Sequence, residues 1–240
     1  MRSISTVMSG VLALAVAATA ANAQFTRPLT AIDGNGNTVY SGWNITVGSP
    51  GVIDLIADAI FIPGINGQPG TVVVQKFAEF RDIDPFTGLP QPLTITFSQD
   101  PNFTDAQTAS RIVITDEYIT NTSGQHWSAF QMALLPSSGA AAFNPALSAG
   151  FSTMNGSPPP VGFTNTAFSL NNTMVTFSGG PGVAPGRTWT PGLTAGGLVI
   201  DVDLSSPNPV VFALKEIPLP TPGAAALLGL GGLMVSRRRR

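Results

Sequence analysis

The sequence contains no cysteine, one histidine and few charged residues, since Lys, Arg, Asp and Glu make up 10% of 240 residues. Without cysteine, the chain cannot use a thiol nucleophile, a zinc–thiolate site, an iron–sulfur cluster or a disulfide scaffold. A hydrophobic core must therefore hold the fold, and the length suffices for one domain. Any Ser-His-Asp relay would need His126, but no Gly-x-Ser-x-Gly elbow is present, so we expect a turn residue there.

The few charges are unevenly placed along the chain. Five of the 11 basic residues are Arg2 and the four C-terminal arginines, whereas all 13 acidic residues lie between Asp33 and Glu216. The body between the two ends is therefore acidic. Because nucleic-acid phosphates require a basic surface, this distribution argues against nucleic acid as a partner.

The N-terminus, residues 1–23, has the three parts of a signal peptide. Arg2 supplies the positive charge, and an apolar stretch follows that is shorter than the about 20 residues of a spanning helix. Ala21 and Ala23 place small side chains before a cleavage site at Gln24. We therefore predict that the chain is exported and that residues 1–23 are removed.

The C-terminus, residues 218–240, carries three ordered features. They are the motif Pro220, Thr221, Pro222 and Gly223, an apolar run at 224–235, and the cluster Arg237, Arg238, Arg239 and Arg240. At about 1.5 Å per residue the apolar run gives a helix of about 18 Å, which is marginal for a membrane core. Arginines stay on the cytoplasmic side. The pattern predicts a short apolar helix that is transiently inserted in the inner membrane with the body outside.

This tail resembles the PEP-CTERM sorting signal of Gram-negative bacteria, in which a Pro-Glu-Pro motif precedes an apolar helix and an arginine cluster. Thr221 stands where that family has Glu, and the Pro-Thr-Pro-Gly form resembles a variant of planctomycete-type sequences. The resemblance implies that secretion machinery exports the chain and that an exosortase-type transpeptidase cuts near the motif. The destination it implies is the cell surface or extracellular matrix. Residues 119–130 also resemble a strand–turn–strand segment that recurs in the bodies of such proteins.

The body, residues 24–217, reads as strands separated by Gly, Pro and Asn turns. Alternating or β-branched apolar residues predict the following strands: Thr38–Val47, Val52–Ile62, Thr71–Phe80, Leu93–Phe97, Arg111–Thr120, Trp127–Leu135, Met174–Phe177, Leu198–Leu204 and Val210–Leu214. We therefore predict an all-β fold, an antiparallel β-sandwich or jelly roll. Long loops are expected at 136–192. Asn121–Gly124 is predicted to form a turn from which the next strand returns antiparallel.

Two kinds of acidic pattern could bind a cation. Asp33–Asn37 begins like a calcium loop, but Thr38 replaces the required Gly and no bidentate Glu follows, so we favour an Asn-Gly turn. The pairs Asp82/Asp84 and Asp201/Asp203 would each share one face of a strand. We favour a solvated strand face for both pairs and predict no metal site, with a divalent ion or an acid/base pair as the alternative.

Three tryptophans could form a platform on which sugars stack. Trp43 and Trp127 lie in predicted strands and are expected in the core, whereas Trp189 lies in the predicted loops and is the candidate ligand-binding residue. We predict a non-enzymatic surface or matrix protein without a cofactor. The alternative is a carbohydrate-binding module with extracellular polysaccharide as its partner, and a secreted hydrolase with paired carboxylates is the less favoured third reading.

Overall fold

The computed structural model describes residues 25–33, 35–47, 59–62, 70–105, 107–136, 139–148, 151, 154–155, 159–192 and 196–221. These residues contain strands and no helix. The strands are β1 Phe25–Ile32, β2 Thr38–Val47, β3 Ala59–Ile62, β4 Thr71–Phe80, β5 Leu93–Gln99, β6 Arg111–Asn121, β7 Trp127–Leu135, β8 Ala141–Phe143, β9 Met154–Asn155, β10 Val161–Gly162, β11 Asn165–Phe168, β12 Met174–Val183, β13 Thr188–Trp189, β14 Leu198–Val202 and β15 Val211–Pro220.

The strands form two facing layers. One has the order β8-β14-β6-β4-β3, and the other has the order β1-β2-β5-β15-β7-β12; a single parallel pair, Ile32 with Ile60, links β1 to β3. Strands distant in this order touch through their side chains: the rings of Phe80 on β4 and Trp127 on β7 lie 5.5 Å apart. The predicted all-β fold with antiparallel sheets in a sandwich-like arrangement is therefore confirmed.

Three predicted strands coincide with observed ones. Thr38–Val47, Thr71–Phe80 and Trp127–Leu135 are β2, β4 and β7. In β4 every second residue is buried, as expected for a strand with one face on the core. The predicted Val52–Ile62 strand is seen as Ala59–Ile62, and its first part lies outside the described residues.

Residues 136–192, predicted to contain long loops and the strand Met174–Phe177, contain several strands. Five of them are short, but β12 runs for 10 residues and pairs with β7. β12 contains three glycines and one proline in succession at 179–182, and all three glycines have positive φ. The register with β7 shifts there, between Ser178 and Val183. The turn residues therefore mark an irregularity within one strand, whereas the sequence pattern indicates a break.

One pairing prediction is wrong. The turn after β6 forms, with Gly124 at a φ of 76° and Asn121 donating to the Gln125 carbonyl, but β6 and β7 are not neighbours. β6 has β4 on one edge and β14 and β13 on the other, so β7 crosses to the facing layer and pairs with β15 and β12. In addition, β4 and β6 are parallel, which departs from a purely antiparallel sandwich. Such partners depend on the whole chain and cannot be read from a local pattern.

Candidate functional site: a buried lysine between two glutamates

Lys76 is directed into the core by the alternation of β4. Val72, Val74, Lys76, Ala78 and Phe80 are all buried and therefore share the inner face of this strand. Lys76 is 2% exposed. An ammonium group is rarely found at such a position unless acidic partners are present.

Glu117 reaches the same region because of a β-bulge in β6. The parallel register with β4 shifts between Gln75 and Phe77, so that one residue of β4 lies opposite two residues of β6. Before the bulge Ile112 and Ile114 are buried, and after it Glu117 and Ile119 are buried. The inserted residue thus moves the inner face from even to odd positions. Without it, Glu117 would be directed away from the core.

Glu216 approaches from the opposite layer. It lies on β15, where Phe212, Leu214, Glu216 and Pro218 are buried in strict alternation. β15 is far from β4 in the strand order, so contact between their side chains runs across the sandwich. Glu117 and Glu216 are both fully buried.

The three side chains form one contact group, which we call the buried triad: Lys76, Glu117 and Glu216. The Lys76 ammonium donates a hydrogen bond to Glu117 Oε1 and makes an ion-pair contact with Glu216 Oε1. Glu117 Oε2 and Glu216 Oε2 are buried without a hydrogen-bond partner.

The charges of the buried triad do not balance when all three groups are ionised, because one ammonium faces two carboxylates. Burying such an excess charge costs several kcal/mol. Burial lowers the pKa of Lys76 below its usual value of 10.5, against the attraction of Glu216, which raises it. Neutrality requires two protons shared among the three groups. One such arrangement is a neutral amine beside two carboxylic acids, in which the amine is nucleophilic.

The sequence interpretation did not identify the buried triad. Lys76 and Glu216 could have been found, because both occupy positions where alternation with apolar neighbours predicts burial. Glu117 could not, because the same rule applied from Ile112 onward places position 116 inside. Only the bulge, which the pairing with β4 reveals, moves Glu117 inward.

Trp189, the candidate ligand-binding residue, lies in the core. Its indole is 0% exposed and has Phe130, Phe163 and Phe177 around it at centroid distances of 5.4, 4.8 and 5.3 Å. A sugar ring stacks on an exposed aromatic face, and Trp189 has none. The burial of Trp189 therefore argues against a ligand role. Trp43 and Trp127 are buried as expected.

The acidic patterns have separate local roles. The Asp33 carboxylate accepts hydrogen bonds from the backbone of Asn35 and Asn37, which makes the favoured Asn-Gly turn. Asp84 lies in a turn, not a strand, and accepts from the Phe86 and Thr87 amides. Among the residues with described positions, no group of three or more His, Asp or Glu side chains could hold a metal ion.

The two acids of the Asp201/Asp203 pair also have different partners. Asp201 accepts a hydrogen bond of 2.6 Å from Arg111 Nε and one of 2.7 Å from Asn144. Asp203 follows the end of β14 and accepts from the Ser205 amide. One carboxylate therefore joins neighbouring strands while the other fixes a turn, and the two do not form one site.

The turn carboxylates predict how stability responds to acid. The pKa of Asp33 and that of Asp100 are lowered from 3.8, mainly by backbone hydrogen bonds from Asn37 and Asn102, and the pKa of Asp203 is lowered mainly by the Ser205 side chain. A lowered pKa contributes stability above the unfolded value, and this contribution is lost as pH falls through the folded value. Replacing all three by Asn should make the pH dependence below about 4 shallower. Urea unfolding measured at a series of pH values tests this prediction. The same pH dependence of the free energy of unfolding in the variant and the wild type would contradict it.

The start of the predicted sorting motif lies at the end of the last strand. β15 runs to Pro220, which pairs with Trp127, and the Thr221 amide donates to the His126 carbonyl at 3.0 Å. The His126 ring contacts Thr221 Oγ1 and the Pro181 carbonyl, so this histidine stabilises the position of the end of β15. The other signal and tail residues lie outside the described residues, namely Ala21, Ala23, Gln24, Pro222, Gly223, Arg237, Arg238, Arg239 and Arg240.

The fold and the buried triad define the class as an all-β, sandwich-like protein with a charged group in its core. Comparison of the chain with family models, with curated proteins and with solved structures finds no match. Within the described ranges, no helix has the length and apolar character needed to cross a membrane. The function is therefore inferred from the residues of this chain.

Proposed function

We propose that this chain is a non-enzymatic, exported protein of the cell surface or extracellular matrix, displayed through its C-terminal sorting signal. The observation that supports the proposal is the ordered tail, in which Pro220-Thr221-Pro222 precedes an apolar run and an arginine cluster at 237–240. The residues 1–23 supply the export signal that such a tail requires. The body between them is the part that is displayed.

The position of the motif agrees with this role. Pro220 and Thr221 close the last strand of the body, and Thr221 is exposed. A transpeptidase that cuts next to this position would release the folded body intact, because no strand follows β15 in the part of the chain that the structure describes. The carbohydrate-binding alternative loses its main observation with the burial of Trp189.

Mass and location of the protein in its native host test the proposal. We expect the protein in the outer or extracellular fraction, with a mass that lacks residues 1–23 and the segment after the motif. Replacing Arg237–Arg240 by glutamine should remove the cytoplasmic stop and leave the tail uncut. Arg187→Gln, in the body, is the matched control and should be sorted like the wild type. A full C-terminus retained in the inner membrane of wild-type cells would overturn sorting.

A further inference from the structure

The buried triad places a primary amine against two carboxyl groups, which are the reactants of an amide. Lys76 Nζ contacts Glu117 Oε1 and Glu216 Oε1, and none of the three side chains is more than 3% exposed. We infer that Lys76 and Glu117 condense to an intramolecular isopeptide bond, with Glu216 transferring the proton. This inference goes beyond the proposed function and does not depend on it.

The condensation balances without any further reactant. The neutral amine Nζ of Lys76 attacks Cδ of the protonated Glu117 carboxyl and forms the Nζ–Cδ bond. Glu216 takes a proton from Nζ and delivers one to the departing hydroxyl of Glu117, so the Cδ–O bond breaks and water leaves. The products are one secondary amide and one water molecule, and no oxidant or cofactor is consumed.

The core favours this reaction for two reasons. In water an amine and a carboxylic acid exchange a proton and become ions, which do not condense; a core disfavours ions and favours the neutral pair. Burial lowers the pKa of Lys76 and thereby raises the fraction of reactive amine. Fixed contact between reacting groups also corresponds to an effective concentration of about 10⁵–10⁸ M.

An uncondensed ion pair explains the same residues less well. A buried ion pair is stable only when charge is balanced and the remaining lone pairs are hydrogen-bonded. Here one ammonium faces two carboxylates, and one oxygen of each carboxylate, Glu117 Oε2 and Glu216 Oε2, has no hydrogen-bond partner. Condensation removes the charge of Lys76, the ionisable carboxyl group of Glu117 and one of the two oxygens of that carboxyl group. The Glu216 carboxyl group then lies beside the new amide, with which it can form a hydrogen bond.

The bond would link β4 to β6, two parallel strands that are 41 residues apart at the linked positions. The chain has no cysteine and therefore no disulfide. A covalent link in the core would give an exported domain the protection against unfolding that disulfides supply elsewhere. It differs from a disulfide because reductants do not cleave an amide.

Peptide mapping of the full chain tests the inference directly. Trypsin does not cut after an acylated lysine, so we expect a branched peptide in which the segment ending at Arg81 is joined to Ile112–Arg187. Its mass should be one water less than the sum of its parts. Separate peptides with a cut after Lys76 would overturn the inference. A branch to the peptide that begins at Glu216 would overturn the choice of Glu117.

Two variants test the role of Glu216. Glu216→Gln keeps the shape of the side chain but cannot transfer the proton, so the linked peptide should form at least about a hundredfold more slowly. Lys215→Arg changes the neighbouring residue on the outer face and should leave the link complete. Full linkage in Glu216→Gln would contradict proton transfer by this residue. Because the wild-type map alone detects the link, the inference stays testable if a variant does not fold.

Discussion

Lys76→Met is expected to lower the free energy of unfolding by about 3–5 kcal/mol, because it leaves two carboxyl groups in the core without their cation. Lys76 is 2% exposed, and both glutamates are 0% exposed. Methionine fills a similar apolar volume, so the lost charge rather than a cavity dominates the effect. Urea unfolding measures it as a lower midpoint with an unchanged slope.

The matched control is Lys215→Met on the same strand as Glu216. Lys215 is partly exposed and lies outside the buried triad, so its replacement should change stability by less than about 0.5 kcal/mol. If no covalent link forms, a variant with methionine at all three triad positions, which removes the buried carboxyl groups, should regain most of the loss. Equal stability of wild type and Lys76→Met would show that the triad charges are not desolvated.

The triple variant also separates ion pairing from a covalent link. A link between positions 41 residues apart restricts the unfolded chain and contributes about 4 kcal/mol by loop closure. If the isopeptide bond forms, the triple variant should be less stable than wild type by about that amount. If the triad is only an ion pair, apolar replacement should be neutral or stabilising.

Sequence reasoning predicts best the strands that begin and end with apolar or β-branched residue types. β2, β4 and β7 agree with their predicted bounds because each has one face on the core. The apolar pattern predicts that β15 ends at Leu214, but the strand continues to Pro220, and the buried residues Glu216 and Pro218 continue its alternation. The alternation of burial therefore extends beyond the alternation of apolar residue types.

Pairing and register could not be predicted in the same way. The sequence near Asn121 specifies a turn. β7 nevertheless does not pair with β6, because β4 and β14 occupy the two edges of β6. The bulge that brings Glu117 inward arises from the pairing with β4. Lys76 and Glu216 follow from strand periodicity, whereas Glu117 follows only from the tertiary fold.

The aromatic cluster around Trp189 predicts the second large effect. Phe163 meets the indole at 4.8 Å and 90°, and Phe130 and Phe177 meet it at 70° and 68°. Edge-to-face contacts of this kind add to the apolar area that the rings bury. Trp189→Ala removes the centre of the cluster and leaves a cavity, so we expect a loss of about 3–5 kcal/mol in the free energy of unfolding.

The control for this variant is Phe86→Ala, because Phe86 is 96% exposed and its removal should change stability by less than about 0.5 kcal/mol. Urea unfolding of both variants is compared with polysaccharide pull-down of the folded fraction. If Trp189 has only a structural role, Trp189→Ala should have lower stability and should retain the same amount of polysaccharide. A variant with wild-type stability that no longer retains polysaccharide would instead assign Trp189 a role in ligand binding. The complete burial of Trp189 argues against that outcome, because a stacking ring must offer a face to the sugar.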